Sequence, residues 1–200
     1  MLVLVAAVPA CAQTDWTPLF DGKTLGDWRS TPFKEGAGAR VENGAIVLDA
    51  GKPMTGITWS GAQFPKTGYE LRFEAQRSRG GDFFASATFP VKDSFCTLVT
   101  GGWGGDIVGL SSLDGWDASD NETRHYYTFE TGKWYAFRVR VTDDRIEVWI
   151  NDKPLIDVVI TGREISLRPG DTRLTAPLGF MSYWTTGKLQ KIEYRTLGKK

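Results

Sequence analysis

Histidine occurs once and cysteine twice in these 200 residues, and the two scarcities exclude several function classes at once. A tetrahedral zinc site needs four N, S or O ligands, which His125 and one buried thiol cannot complete without unusual carboxylates. Cys11 lies in an apolar leader, so the mature chain keeps only Cys96 and forms no intramolecular disulfide. A chain of this length buries enough core to fold without such staples. Cys96 itself sits in an alternating apolar run, the setting of a structural thiol rather than a nucleophile. Charge of one sign is also missing: 24 basic residues balance 24 acidic ones and no Lys/Arg block occurs, so nucleic acid is not an expected partner. A Gly-x-Ser-x-Gly elbow is absent, because Gly109-Leu110-Ser111-Ser112-Leu113 lacks the second glycine, and triad hydrolysis is excluded with it.

Long apolar runs are scarce as well. Leu2 to Ala10 is the longest, far below the roughly 20 residues that span a bilayer. It has the length of a signal peptide, and Ala10-Cys11-Ala12 fits the small-x-small cleavage pattern, so residues 1–12 are expected to be removed and the protein to be secreted or periplasmic. Val8-Pro9-Ala10-Cys11 also loosely matches a lipobox, and acylation at Cys11 is the alternative. No transmembrane segment is expected.

Residues 14–197 contain no linker, repeat or low-complexity tract and read as one domain. Helical stripes are missing, and period-two alternation dominates. Tyr135, Phe137, Val139 and Val141 face one way while Arg138 and Arg140 face the other; Asp143-Asp144 turns the chain into Ile146, Val148 and Ile150, and Asn151-Asp152 turns it again before Leu155 to Ile160. Further β-rich runs are Ala45 to Leu48, Tyr69 to Arg77, Phe83 to Phe89, Phe95 to Thr100, Ile107 to Leu110, Leu178 to Trp184 and Lys188 to Leu197. Many short strands with glycine-bearing turns predict an all-β sandwich or jelly roll.

Three stretches carry a family resemblance. The opening WTPLFDGKTLGDW from Trp16 to Trp28, the run Tyr69 to Arg77 with Gly80-Gly81-Asp82, and Gly132-Lys133-Trp134-Tyr135 to Trp149-Ile150-Asn151-Asp152 resemble the bacterial 3-keto-disaccharide hydrolases. The resemblance implies a concanavalin A-like jelly roll and cleavage of a glycoside already oxidised at C3. There the ketone acidifies the C2 proton, a base removes it, the C1 substituent leaves and water adds. Relatives usually carry Asn where this chain has Asp82, and a Tyr-Glu-x-Gln strand found in many of them is missing, which marks a divergent member. The other reading of the same fold is a lectin-like carbohydrate-binding module without turnover.

Candidate residues fall in two polar regions. On the Tyr69 to Arg77 strand, Glu70, Arg72, Glu74 and Gln76 share one face, which is either a solvated outer surface or the substrate side. Glu74, Asp82, Glu122 and His125 are the candidates for proton transfer, and Arg77 for polarising a ketone. Four glycines around Trp103 give a ligand close access to the backbone while the ring stacks on a sugar, with Trp116 and Asp106 as further contacts; the plainer reading is a tight inter-strand turn. Asp114, Asp117 and Asp120, close to Glu122, form either a Ca²⁺ loop or an acidic surface loop. His125 is either an acid/base or a hydrogen-bonded structural residue.

Overall fold

The computed structural model describes residues 15–198; the expected leader, its cleavage site and Cys11 lie outside the described residues. Fifteen strands run as β1 (Thr17–Pro18), β2 (Trp28–Ser30), β3 (Ala39–Glu42), β4 (Ala45–Leu48), β5 (Met54–Trp59), β6 (Tyr69–Arg79), β7 (Ser86–Val91), β8 (Ser94–Gly102), β9 (Ile107–Ser111), β10 (His125–Tyr126), β11 (Trp134–Val141), β12 (Arg145–Ile150), β13 (Lys153–Val159), β14 (Gly179–Tyr183) and β15 (Thr186–Thr196). They form two antiparallel sheets. One has the order β13-β12-β11-β6-β15-β4-β3, with β1 added to β15, and the other β10-β9-β8-β7-β14-β5-β2. A 3-10 turn at Asp171–Thr175 is the only helical element among the described residues. No helix there is long and apolar enough to cross a membrane.

The expected three-strand meander is β11-β12-β13. Asn151 and Asp152 between β12 and β13 have φ of 50° and 60°, the pair of left-handed residues that matches a two-residue hairpin turn to strand twist. The run expected from Phe83 to Phe89 begins later, at Ser86, because Phe83 to Ala85 bend across the end of β15. There a Cβ on Gly187 would lie 1.8 Å from the Phe84 carbonyl oxygen, so backbone contact replaces pairing. Strands β1, β2, β3, β5 and β10 are not separable from loops by alternation, being short or interrupted by glycine and polar residues.

Between the sheets lies one aromatic core. Tyr69, Leu71, Phe73 and Ala75 of β6 and Tyr135, Phe137, Val139 and Val141 of β11 all point inward and are buried. Phe73 stacks on Phe137 at 5.1 Å and meets Phe180 of the opposite sheet edge-on at 4.8 Å, tying the layers together. Tyr69 donates its hydroxyl hydrogen to the Pro90 carbonyl at 2.6 Å, so its burial leaves no polar atom unpaired.

The opening motif works as a clasp. Asp21 accepts hydrogen bonds from the Lys23 and Thr24 amides, each at 2.8 Å, which closes the turn between the tryptophans. Trp28 enters the core, donates its indole N–H to the Leu19 carbonyl at 2.8 Å and packs against Trp59 and Phe180. Trp16 stays on the outer face of the eight-stranded sheet, with the Arg72 and Arg195 guanidiniums over its ring.

Candidate functional site

A cavity of about 380 Å³ opens on the outer face of the seven-stranded sheet. Its floor is set by alternation: Ser86 of β7, Thr97 and Val99 of β8, Ser111 of β9 and Met181 of β14 point away from the core. Three loops raise its walls. The β6–β7 connection supplies Asp82 and Phe83, the β8–β9 connection supplies Trp103, and a strap after β13 supplies Arg168, Pro169, Asp171 and Thr172. Tyr183 completes the rim, its ring 5.5 Å from that of Phe83.

Asp82 is held on every side. Its amide donates to Thr185 Oγ1 at 3.0 Å, one carboxylate oxygen accepts from the Phe83 amide at 2.7 Å, and the other accepts from the Gly104 amide at 3.2 Å. Glycine is required on both sides of this junction. Gly80 has φ of 97° and a Cβ there would meet Thr185 Cα at 2.7 Å, while a Cβ on Gly105 would meet the Gly81 carbonyl oxygen at 2.6 Å. Trp103, between these glycines, takes φ of 51° and leaves 39% of its surface exposed in the cavity wall. A bulky residue in the left-handed region is strained, and such strain concentrates at ligand clamps.

Arg168 was not among the residues singled out from sequence. Its guanidinium lies 5.5 Å from the Trp103 ring and pairs with Asp117 at 3.2 Å. Asp117 in turn accepts from the Ser111 and Ser112 hydroxyls at 3.1 and 3.0 Å. Thr88 and Thr97 continue this hydroxyl row under the strap, joined to Thr175 through Thr88 at 2.7 Å. The strap is thus anchored at both ends, and it presents a cation, a carboxylate and a hydroxyl to the cavity. Only the Arg168-Pro169-Gly170-Asp171 turn composition hinted at it in the sequence.

The remaining expected residues lie elsewhere. Glu74 is on the outer face of the eight-stranded sheet, where it accepts from Lys191 at 2.8 Å and Gln190 at 2.7 Å; burial pushes its carboxyl up, and these donors outweigh it and leave it below the ordinary range. Arg77 points inward instead of toward the cavity. It donates to the Gly105 carbonyl at 3.1 Å and to the Phe129 carbonyl, fastening the glycine-rich loop. Asp106 and Trp116 are exposed outside the cavity lining. His125 pairs with Val108 at the sheet edge, and since cross-strand partners share a face it lies on the inward side.

Asp114, Asp117, Asp120 and Glu122 do not converge. Asp114 accepts from the Glu164 amide and the Arg163 Nε, both at 2.8 Å, and Glu122 also pairs with Arg163. The amide and the guanidinium hold Asp114 below the ordinary carboxylate range, and Arg163 does the same for Glu122. Asp120 accepts from the neighbouring Ser119 hydroxyl at 2.5 Å. Among the described residues no three His, Cys, Asp or Glu side chains gather as an ion would require, and gathering these would need the Arg163 bridge to open.

Fold and cavity together define a β-sandwich of the kind built by carbohydrate-active and carbohydrate-binding domains. Residues 15–197 match the family described as the 3-keto-alpha-glucoside-1,2-lyase-like domain, and the chain belongs to that family. No curated protein sequence matches it. Among solved structures it is similar to a proposed glycosyl hydrolase from Parabacteroides distasonis ATCC 8503, with 14% identity, TM-score 0.55, and 91% of this chain and 94% of that one covered. It is also similar to the carbohydrate-binding module CBM66 from Bacillus subtilis, at 11% identity, TM-score 0.54, and 85% and 96% coverage. Domain 4 of AbnA, an extracellular arabinanase from Geobacillus stearothermophilus solved with arabinotriose, is similar at 15% identity, TM-score 0.52, and 78% and 72% coverage. These likenesses show the shared fold.

Proposed function

We propose that the cavity takes a sugar ring oxidised at C3 and cleaves its glycosidic bond by elimination and hydration, in a protein that is secreted or periplasmic. The observation that carries this reading is Asp82, a carboxylate fixed by two backbone amides in the wall of a ring-sized cavity beside an exposed indole. Trp103 stacks on the apolar face of the sugar and so presents one edge of the ring to Asp82. The Asp82 carboxylate takes the C2 proton; the C2–H electrons form the C1=C2 double bond as the C1–O bond breaks, and the leaving oxygen is protonated by the Tyr183 hydroxyl on the cavity rim. Water then adds across the double bond, its hydroxyl joining C1 and its proton restoring Tyr183 while Asp82 returns its proton to C2, and the free 3-keto sugar is released. Arg168 supplies the positive charge toward which the ketone oxygen turns as the enolate develops. Among the four carboxylate and imidazole candidates, only Asp82 lines this cavity, so the base role falls to it rather than to Glu74, Glu122 or His125.

The second reading is binding without turnover. It is favoured by the module CBM66 and the arabinanase domain among the similar folds, and by Arg168, whose charge is already matched by Asp117. One experiment separates the two: incubation of the mature chain with 3-keto glycosides and their unoxidised parents, following release of free 3-keto sugar. Release from the keto substrates alone, abolished in Asp82→Asn and retained in His125→Ala, supports elimination at Asp82. No release, with the keto glycoside quenching tryptophan fluorescence, moves the protein to the binding class.

A further inference from the structure

The outer face of the eight-stranded sheet carries a second depression, of about 630 Å³, that the Asp82 chemistry does not use. Register explains how it is built. Four residues lie side by side across β12, β11, β6 and β15: Trp149, Arg138, Arg72 and Glu193. Arg138 and Arg72 are directly opposed, a like-charge cross-strand pair that costs stability unless something compensates it. The two guanidiniums part instead of meeting. That of Arg138 lies 3.8 Å from the Trp149 ring and that of Arg72 lies 4.0 Å from the Trp16 ring, at opposite ends of the row. The next residue along β11 on this face is Ala136, whose small side chain leaves the space between the arginines open.

Donors outnumber acceptors around this opening. Two residues from Arg72 along β6, Glu70, fully buried, accepts from Arg138 at 3.1 Å, from Arg140 at 2.7 Å and from Arg195 at 2.7 Å. Arg72 donates to Glu193 at 2.6 Å and Lys191 to Glu74 at 2.8 Å. The lining therefore holds five cations, Arg72, Arg138, Arg140, Lys191 and Arg195, against Glu74, Asp152 and Glu193, and Glu70 and Glu147 pair with these cations from just outside it, so the charges balance. Each guanidinium has five N–H donors, so most of them remain to be offered to a ligand.

We propose that this depression is a second binding site, for a carboxylate-bearing sugar unit such as the uronate of an acidic glycan. A planar carboxylate matches the fork of one guanidinium, Arg72 or Arg138, and the hydroxyls of the same sugar unit accept from the other. The opening is far larger than a bare ion needs, about 30 Å³ for a water-sized group, and its walls are charged and aromatic, so the occupant has a polar, ring-sized body. The site lies on the face opposite the Asp82 cavity and stands or falls independently of the reaction there.

The test is calorimetric titration of the full mature chain with tri-galacturonate, with its neutral methyl ester, and with acetate or sulfate alone. Binding of the uronate is expected to be at least about tenfold tighter than that of the ester, to weaken between about 20 and 200 mM salt, and to fall about tenfold in Arg72→Gln and in Arg138→Gln, while Asp82→Asn leaves it unchanged. Arg72 is the more exposed of the two and its variant keeps the Glu70 cluster intact, so a folding defect in Arg138→Gln does not decide the outcome. Equal binding of ester and uronate, indifference to Arg72→Gln, or no heat at about 10 mM ligand would each overturn the proposal. Acetate or sulfate binding as tightly as the uronate would overturn its sugar part and leave an anion site.

Discussion

Replacing Glu70 by Gln tests the energetic centre of the eight-stranded sheet. The carboxylate has no exposed surface, and three guanidiniums meet it through Arg138, Arg140 and both the Nε and Nη2 of Arg195. Gln keeps one acceptor oxygen but turns an NH₂ donor toward an arginine, leaving three cations over a neutral group. Removing one side of a buried, hydrogen-bonded ion cluster costs about 3–5 kcal/mol. For a domain of this size each kcal/mol moves Tm by about 2–4 °C, so a drop of about 10 °C is expected, with a urea midpoint lower by about 2 M for a slope near 2 kcal/mol/M. The pH dependence supplies the sharper check. Burial pushes the Glu70 carboxyl up, but the Arg140 and Arg195 hydrogen bonds and charges outweigh burial, so the folded group titrates below its ordinary 4.5. A depressed folded pKa stabilises the native state above the unfolded value, and that contribution disappears as pH falls through the folded one. Urea unfolding of wild type and Glu70→Gln should therefore differ most at pH 7, and the gap should narrow in acid below 4.5. A loss under about 1 kcal/mol at pH 7, or a gap that persists unchanged into acid, would refute the reasoning.

Two further predictions concern the core and the sheet ends. Gly187→Ala places a methyl 1.8 Å from the Phe84 carbonyl oxygen and is expected to cost about 3 kcal/mol, whereas Gly81→Ala, with nothing within 4 Å of its Cβ, should leave urea stability unchanged; equal effects would contradict the packing described. Burial pushes the Cys96 thiol up to about 12, so the native chain should resist a disulfide exchange reagent at pH 8 and react at once in denaturant, and rapid native reaction would place the thiol outside the core.

The all-β sandwich was legible because alternation is a local property of the chain. Tyr69 to Arg77 and Tyr135 to Val141 announce one apolar face each, and the structure buries those faces against each other. Less legible was the fate of the polar face. Glu70, Arg72 and Arg138 have the pattern of a wet surface, yet Glu70 is covered completely by the long side chains of its cross-strand neighbours, and only the register of β6 against β11 and β15 says which charges meet.

Of the residues proposed for chemistry, Asp82 and Trp103 reach the cavity because each belongs to a loop at the end of a paired strand, β6 and β8. Glu74 shares the motif with Asp82 but lies on a strand, so alternation sends it to the opposite face. The sequence by itself determined the strand-forming segments, their inward faces and the glycine-rich turns, since backbone propensity and period-two patterning depend on neighbours a few residues away. Only the tertiary structure decided that Arg168 joins Trp103 and Asp117, that Arg77 meets the Gly105 and Phe129 carbonyls, and that two arginines oppose each other between two tryptophans. Those meetings depend on sheet order and register, which are set by pairing between segments far apart in the chain.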